Sequence, residues 1–214
     1  MRPCLWMADG ILSGCVCFGQ ELSVGVIGGA MATDDLTGAG ATSVSKRYVV
    51  GPALEIGLPL RLEVEVDALY RREGYQASFS SQFYTAFYDE RANSWEFPIL
   101  LKYRFPSPVA RPFLEAGYAP RVIHGSISSN GTDDFPFSAP QYYASRASTN
   151  WPMSHGIVVG GGVRFAIGRL HLSPELRYTR WSNSAISGSY DDGPSWQSTQ
   201  NQVDVLLGIA WRFR

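Results

Sequence analysis

From Glu21 onward, apolar and polar residues alternate with a period of two, in runs separated by turn-rich stretches. Eight runs qualify as strands: 21–31, 47–58, 60–72, 94–105, 110–122, 155–167, 169–181 and 201–213. Most are near the roughly 9–11 residues that a tilted strand needs to cross a bilayer. In the third run, Leu60, Leu62, Val64, Val66, Ala68 and Tyr70 fall on one face, with Arg61, Glu63, Glu65, Asp67 and Arg71 on the other. The fourth sets Trp95, Phe97, Ile99, Leu101, Tyr103 and Phe105 against Glu96, Lys102 and Arg104. The last sets Val203, Val205, Leu207, Ile209, Trp211 and Phe213 against Asp204, Gly208 and Arg212.

Alternation predicts a sheet with two unlike faces but does not say which is inside. A soluble lipocalin-like barrel buries the apolar face; a membrane barrel turns it outward. Three features favour the membrane. The apolar face carries aromatics near both strand ends: Tyr48, Tyr70, Trp95 and Tyr178 at one, Phe105, Phe165, Trp211 and Phe213 at the other. Such residues suit two lipid–water interfaces. The polar face sets Arg61, Arg71, Lys102, Arg104, Arg121, Arg164, Arg177 and Arg212 against Glu55, Glu63, Glu65, Asp67, Glu96, Glu115, Glu175 and Asp204. Equal numbers of opposite charges suit an interior pairing network, because buried charges must be paired. Finally, tight links at Gly57-Leu58-Pro59, Pro106-Ser107-Pro108 and Ile167-Gly168-Arg169 alternate with long ones at 32–46, 73–93, 123–154 and 182–200. Short periplasmic turns and long external loops are the outer-membrane pattern. The expected fold is all-β, an eight-stranded antiparallel up-and-down transmembrane β-barrel with both ends on the periplasmic side.

Composition narrows this further. Charged residues are 17% of the 214, below the roughly 25% of soluble domains, and the only lysines are Lys46 and Lys102. No run of about 18 apolar residues occurs, which excludes a transmembrane helix. The near-zero net charge argues against nucleic acid as a partner. Gly25, Gly51, Gly117, Gly160, Gly162 and Gly208 fall on the polar face, where they leave room for long side chains or mark bends. Residues 1–20 read as a signal peptide with a weak n-region, and residues 21–214 as the barrel domain. All three cysteines, Cys4, Cys15 and Cys17, lie in the first segment, so no disulfide framework or cysteine metal site is expected in the body. Leu12-Ser13-Gly14-Cys15 matches a lipobox, with chance as the alternative; a misplaced start would also explain the weak signal.

Two resemblances bear on identity. Gly208-Ile209-Ala210-Trp211-Arg212-Phe213 resembles the outer-membrane assembly signal, with Gly208, Trp211 and Phe213 at its marked positions; Arg214 departs from the usual aromatic end. The likeness implies recognition by the barrel-assembly machinery. Ser94 to Phe105, with Glu96, Pro98, Leu100, Lys102 and Tyr103, is similar to a strand of the outer-membrane-protein β-barrel domain family, the small OmpA-like and OmpX-like barrels. Pro112-Phe113-Leu114-Glu115-Ala116-Gly117 extends the likeness to the next strand. The family implies location in the bacterial outer membrane, contact with its lipid, and no particular activity.

Candidate chemistry is sparse, and no cofactor motif is present. His171 and Ser173 have the His-x-Ser spacing of outer-membrane lipid deacylases, but both fall on the expected lumen face. Ser154 with His155, and His124 with Ser126, are other Ser/His neighbours. Asp34-Asp35, Asp133-Asp134 and Asp191-Asp192 sit in long links as Ca²⁺ ligands or as solvated turn residues. Aromatics crowd the same links: Phe79, Phe83, Tyr84, Phe87, Tyr88, Phe135, Phe137, Tyr142, Tyr143 and Trp151. They suit a cap or a surface for a partner. Eight strands leave a bore that side chains fill. The expected function is therefore a monomeric barrel acting through its loops, with a lipid-modifying hydrolase on the same scaffold as the alternative.

Overall fold

The computed structural model describes residues 21–107, 110–189 and 195–213. Residues 1–20, read above as a signal peptide and holding the three cysteines, lie outside the described residues, as do the Pro108 end of one tight turn, Asp191-Asp192 and Arg214.

Fifteen strands are present among the described residues. They are β1 (Leu22–Met31), β2 (Leu36–Gly38), β3 (Ala41–Ser43), β4 (Tyr48–Gly57), β5 (Leu62–Asp67), β6 (Leu69–Ser80), β7 (Tyr84–Glu96), β8 (Ile99–Arg104), β9 (Ala110–Asp133), β10 (Gln141–Asn150), β11 (Ser154–Ile167), β12 (Leu170–Trp181), β13 (Ser187–Ser189), β14 (Ser195–Ser198) and β15 (Asn201–Phe213). They build eight staves: β1, β4, β5 with β6, β7 with β8, β9, β11, β12 and β15. Each stave pairs antiparallel with the next. The last then pairs with the first, from Leu22↔Phe213 to Met31↔Asp204. The ring is closed, so no stave is left with an unpaired backbone edge in the bilayer, where an unmet N–H or C=O costs several kcal/mol.

Two staves expected to be continuous are interrupted. Pro98 has no N–H to donate, and the chain steps between β7 and β8 there. Asp67 N donates to Pro98 O at 3.0 Å, and Ala68 N to Pro52 O at 3.1 Å, which carries the neighbouring stave across its own step at Ala68. Alternation survives both steps, because Glu96, Leu100 and Lys102 stay buried while Phe97, Ile99 and Leu101 stay exposed.

The expected long loops are largely strand. β6 and β7 run on past the aromatic girdle to Ser80↔Thr85, and β9 continues to Asp133 with β10 beside it. Beyond the bilayer the outward face of a strand is polar as well, as in Ser126, Ser128 and Asn130, so hydrophobic alternation disappears while the ladder persists. The result is a four-stranded sheet, β6-β7-β9-β10, raised about 30 Å along the strand from Trp95 to Thr85 at ~3.3 Å per residue. The links 32–46 and 182–200 fold into β3, which extends this sheet, and into a small sheet β13-β14-β2.

Candidate functional site

The barrel is inverted relative to a soluble one. Val26, Ile99, Leu101, Leu114, Ile157, Leu176 and Val205 point outward and are exposed, while the charged residues point inward and are buried. An apolar belt of this extent has no place in water and fits a bilayer. Its upper margin is a chain of rings, Tyr48 to Tyr70 at 6.5 Å and Tyr70 to Trp95 at 5.2 Å between centroids. At the lower margin Tyr103 meets Phe105 edge-on at 5.1 Å. Hydroxyls at the upper margin are anchored, Tyr70 donating to Asn93 at 2.7 Å and Tyr178 to Asn201 at 2.8 Å. The soluble lipocalin-like alternative fails on this distribution.

The lumen is a stack of ion-paired layers. Near the end with the short turns, Arg164 grips Glu63 through both terminal nitrogens at 2.7 Å, reaches Glu55 at 2.6 Å and donates Nε to Ser173 at 3.3 Å. In the middle, Lys102 sits 2.6 Å from Glu65, 3.0 Å from Glu115 and 3.1 Å from Glu175. Arg177 bridges Asp67 at 2.8 Å with Glu65 and Glu115 at 3.0 Å. Higher up, Arg71 pairs with Glu96 and Asp204, each at 3.1 Å. Gln202 links Asp204 to the Trp181 indole, over which Arg121 lies at 4.0 Å. Two carboxylate trios have metal-ligand proximity, Glu55-Glu63-Glu65 and Glu65-Glu115-Glu175. Arg164 and Lys102 already supply the cations for them.

Thirteen of the sixteen charges read from the sequence as lumen residues are buried there. Three are not. Arg61 is exposed in a turn, because the chain leaves the barrel wall at Gly57 and re-enters only at Leu62. Arg104 and Arg212 sit at the mouth on the short-turn side, both on the carboxylate of Glu21 at 3.6 and 3.2 Å. Glu73 and Glu90 join the buried set instead, carried inward by strand that continues above the girdle. Among the described residues ten buried carboxylates therefore face five buried cations, and the expected charge balance does not hold. The sequence reading also missed an apolar share of the filling: Ile27, Val49, Ala53, Leu69 and Leu206 form one inward cluster, and Leu100, Ala119, Val158 and Trp181 another. Their signal was present, since they hold the inward phase of their strands, but it was masked by neighbouring glycines.

Above the lumen the mouth is capped. Tyr75, Ala92, Ile123, Ala185, Ile186 and Trp196 form a buried cluster, with Leu36, Ala41 and Trp151 against it. Tyr75 and Trp196 approach to 5.4 Å between ring centroids. Of the loop aromatics, Trp151 thus serves the cap, while Phe83–Phe135 and Tyr84–Tyr143 stack at the tip of the raised sheet at 6.3 and 6.2 Å. Tyr142 is 82% exposed. Glu90, inward and above the girdle, has its carboxyl pushed up to about 7 by burial, with the nearby Glu73 charge adding to this.

No Ser–His pair is assembled among the described residues. The Ser173 hydroxyl accepts from Arg164, and His171 Nδ1 has no partner. Both are buried inside the barrel, away from any lipid substrate. Ser154 is fully buried, whereas His155 stacks outside on Tyr118 and bonds its hydroxyl. His124 holds Asn150 at 2.8 Å, and Ser126 accepts from Arg146. Asp34 is paired with Arg47 and Asp35 accepts from Ser43, so neither offers a free acidic pair.

No protein-family model matches the sequence, and no curated protein matches it. Solved structures do match. Neisserial surface protein A covers 92% of this chain with all of its own, at 15% identity and a TM-score of 0.50. The outer membrane protein OprG from Pseudomonas aeruginosa covers 91% of this chain with 95% of its own, at 10% identity and a TM-score of 0.53. Closed ladder, outward apolar belt and these likenesses agree: the chain has the fold of the small outer-membrane β-barrels.

Proposed function

We propose that this protein is an integral, monomeric component of a bacterial outer membrane that acts through the sheet it raises outside, with the barrel as a rigid mount. The observation that carries this reading is the contrast between lumen and sheet. The lumen is filled by paired charges and closed above by the Tyr75–Trp196 cap, which leaves no diffusion path. The raised sheet ends on β10, which pairs with β9 and with no other strand among the described residues. Such an edge presents a row of backbone donors and acceptors, and extended partners add to it by strand pairing. Tyr142 and Phe137 beside it supply exposed aromatic surface of the kind that anchors protein contacts.

The resemblance of Gly208, Trp211 and Phe213 to an assembly signal supports insertion by the barrel-assembly machinery. Trp211 and Phe213 face lipid on the closing strand, within reach of an insertion factor while that seam is still open.

Purified barrel in planar bilayers is expected to give no discrete conductance. In cells, with Cys4, Cys15 and Cys17 replaced, Y142C is expected to react with an impermeant thiol reagent from outside. S107C should react only after the outer membrane is permeabilised. Steady ionic conductance, or the reverse labelling pattern, overturns the reading.

A further inference from the structure

The periplasmic mouth opens into a cavity of about 620 Å³, lined by Glu21, Arg61, Arg104 and Arg111 with Phe105 and Ser107 among its walls. Among the described residues three guanidinium groups face one carboxylate there. That carboxylate, Glu21, is already shared between Arg104 and Arg212. Arg104 leans further on Glu63 at 3.5 Å. Arg61 and Arg111 make no side-chain hydrogen bond or ion pair among the described residues.

Arg61 reaches the cavity from an exposed turn, whereas Arg111 is placed where a free guanidinium is unexpected. Arg111 lies directly opposite Arg164 in the β9–β11 ladder and shares its inward face. Like charges so paired repel. Arg164 takes up the nearest carboxylates, Glu55 and Glu63, leaving none for Arg111. Arg61 is held with φ at 67°, just after Leu60 at 63°, two consecutive non-glycine residues in the left-handed region. These are the two central positions of the tight β4–β5 hairpin turn, closed by the Leu62 N–H on Pro59 O, and the turn fixes where Arg61 stands at the mouth. One layer deeper the sign reverses, and carboxylates outnumber cations. An anion entering from this side is drawn to the mouth and stopped there.

We propose that the mouth binds a phosphate group, with Arg61 and Arg111 as its principal ligands and Arg104 assisting. A guanidinium presents paired N–H donors that match phosphate oxygens two at a time. The cavity is within the roughly 300–1,000 Å³ range of small-molecule sites. It leaves room for a body beyond the phosphate, against Leu58, Pro59 and Phe105. The membrane reading above decides only that the periplasm supplies this ligand; binding to the purified barrel is independent of it.

The test is a titration of inorganic phosphate into the folded barrel in zwitterionic micelles, read by the arginine Nε–H resonances, with chloride at equal ionic strength beside it. Saturable binding at millimolar phosphate is expected, about tenfold weaker in R61Q/R111Q and unchanged in R47Q/R146Q, which removes two guanidinium groups at the opposite end. Heat-modifiable migration checks that each variant is folded, and R61K/R111K, which keeps charge without the fork, should fall between. A second arm compares nanodiscs of phosphatidylcholine with discs containing phosphatidylglycerol. Phosphate response in the former marks a soluble ligand. Occupation of the mouth by the anionic lipid alone marks a headgroup, and either supports the site. Equal response to chloride, equal binding by R61Q/R111Q, or no saturable response in either arm overturns it.

Discussion

Lys102 donates to Glu175 at 3.1 Å across the lumen, joining two staves that do not touch in the barrel wall. The same ammonium lies between Glu65 and Glu115, so one cation holds three carboxylates. Removing it while leaving them is the costly change. K102M is expected to destabilise the barrel by about 3–5 kcal/mol, the range for breaking a buried ion pair by deleting one partner. The measurement is urea unfolding in lipid vesicles. K102M/E175Q should recover part of the loss, because it removes one stranded charge. If the double variant is less stable than K102M, the network does not work as a set of compensated charges.

Gly160 sits where a Cβ would come within 2.6 Å of Glu115 Oε1 and 2.8 Å of Leu176 O. G160A therefore pushes Glu115 off Arg177, and a loss of about 1–3 kcal/mol is expected, as for overpacking. At Gly28, on the lipid side, the nearest atom to a Cβ would be 3.5 Å away. G28A should leave the unfolding midpoint unchanged in the same assay. Equal effects at the two positions would count against the crowding argument.

These residues show how much was legible beforehand. Inverted alternation located the eight staves, the girdles and thirteen lumen charges, because period-two patterning survives wherever one face meets lipid and the other the lumen. It stopped being informative above Tyr70 and Trp95. There water wets the outer face, Ser and Asn serve as well as Val, and strand was read as loop. The mouth was misread for a different reason. Arg61 keeps the polar phase of its neighbours in sequence, but the left-handed turn at Leu60 and Arg61 takes it out of the wall. A cap was expected from the loop aromatics, and Trp151 does pack against it, but its centre was not legible, because Tyr75, Ile186 and Trp196 come from segments far apart in the chain.

His171 and Ser173 carry the spacing of a lipid-modifying enzyme without its geometry. With the serine bonded to Arg164 inside the barrel, neither reaches a lipid. H171A and S173A are expected to leave the acyl pattern of the cell's lipids unchanged by mass spectrometry. Both should keep heat-modifiable migration. Loss of an acyl change in either folded variant, relative to cells with the unaltered protein, would restore the hydrolase reading.

Glu90 links the raised sheet to pH. It faces inward above the girdle, opposite Tyr75 on β6 and Ile127 on β9. Burial first, and then the Glu73 charge, lift its carboxyl from 4.5 to about 7. Between those values the folded hairpin keeps a proton that the opened chain has released. The opened form therefore gains stability as pH rises through this window, and above about 7 the penalty is constant. A shift of this size caps the effect near 3 kcal/mol, and partial solvent access brings the expected change to about 1–2 kcal/mol. Local opening of β6 and β7 is read by amide hydrogen exchange at Tyr75 and Ala92. Protection corrected for intrinsic exchange should fall between pH 5 and pH 7.5 in the unaltered protein. In E90Q the fall should be smaller, the remainder coming from Glu73 on β6, whose carboxyl burial also raises. Parallel losses in the two proteins would place the pH response elsewhere and leave Glu90 a buried carboxylate of ordinary acidity.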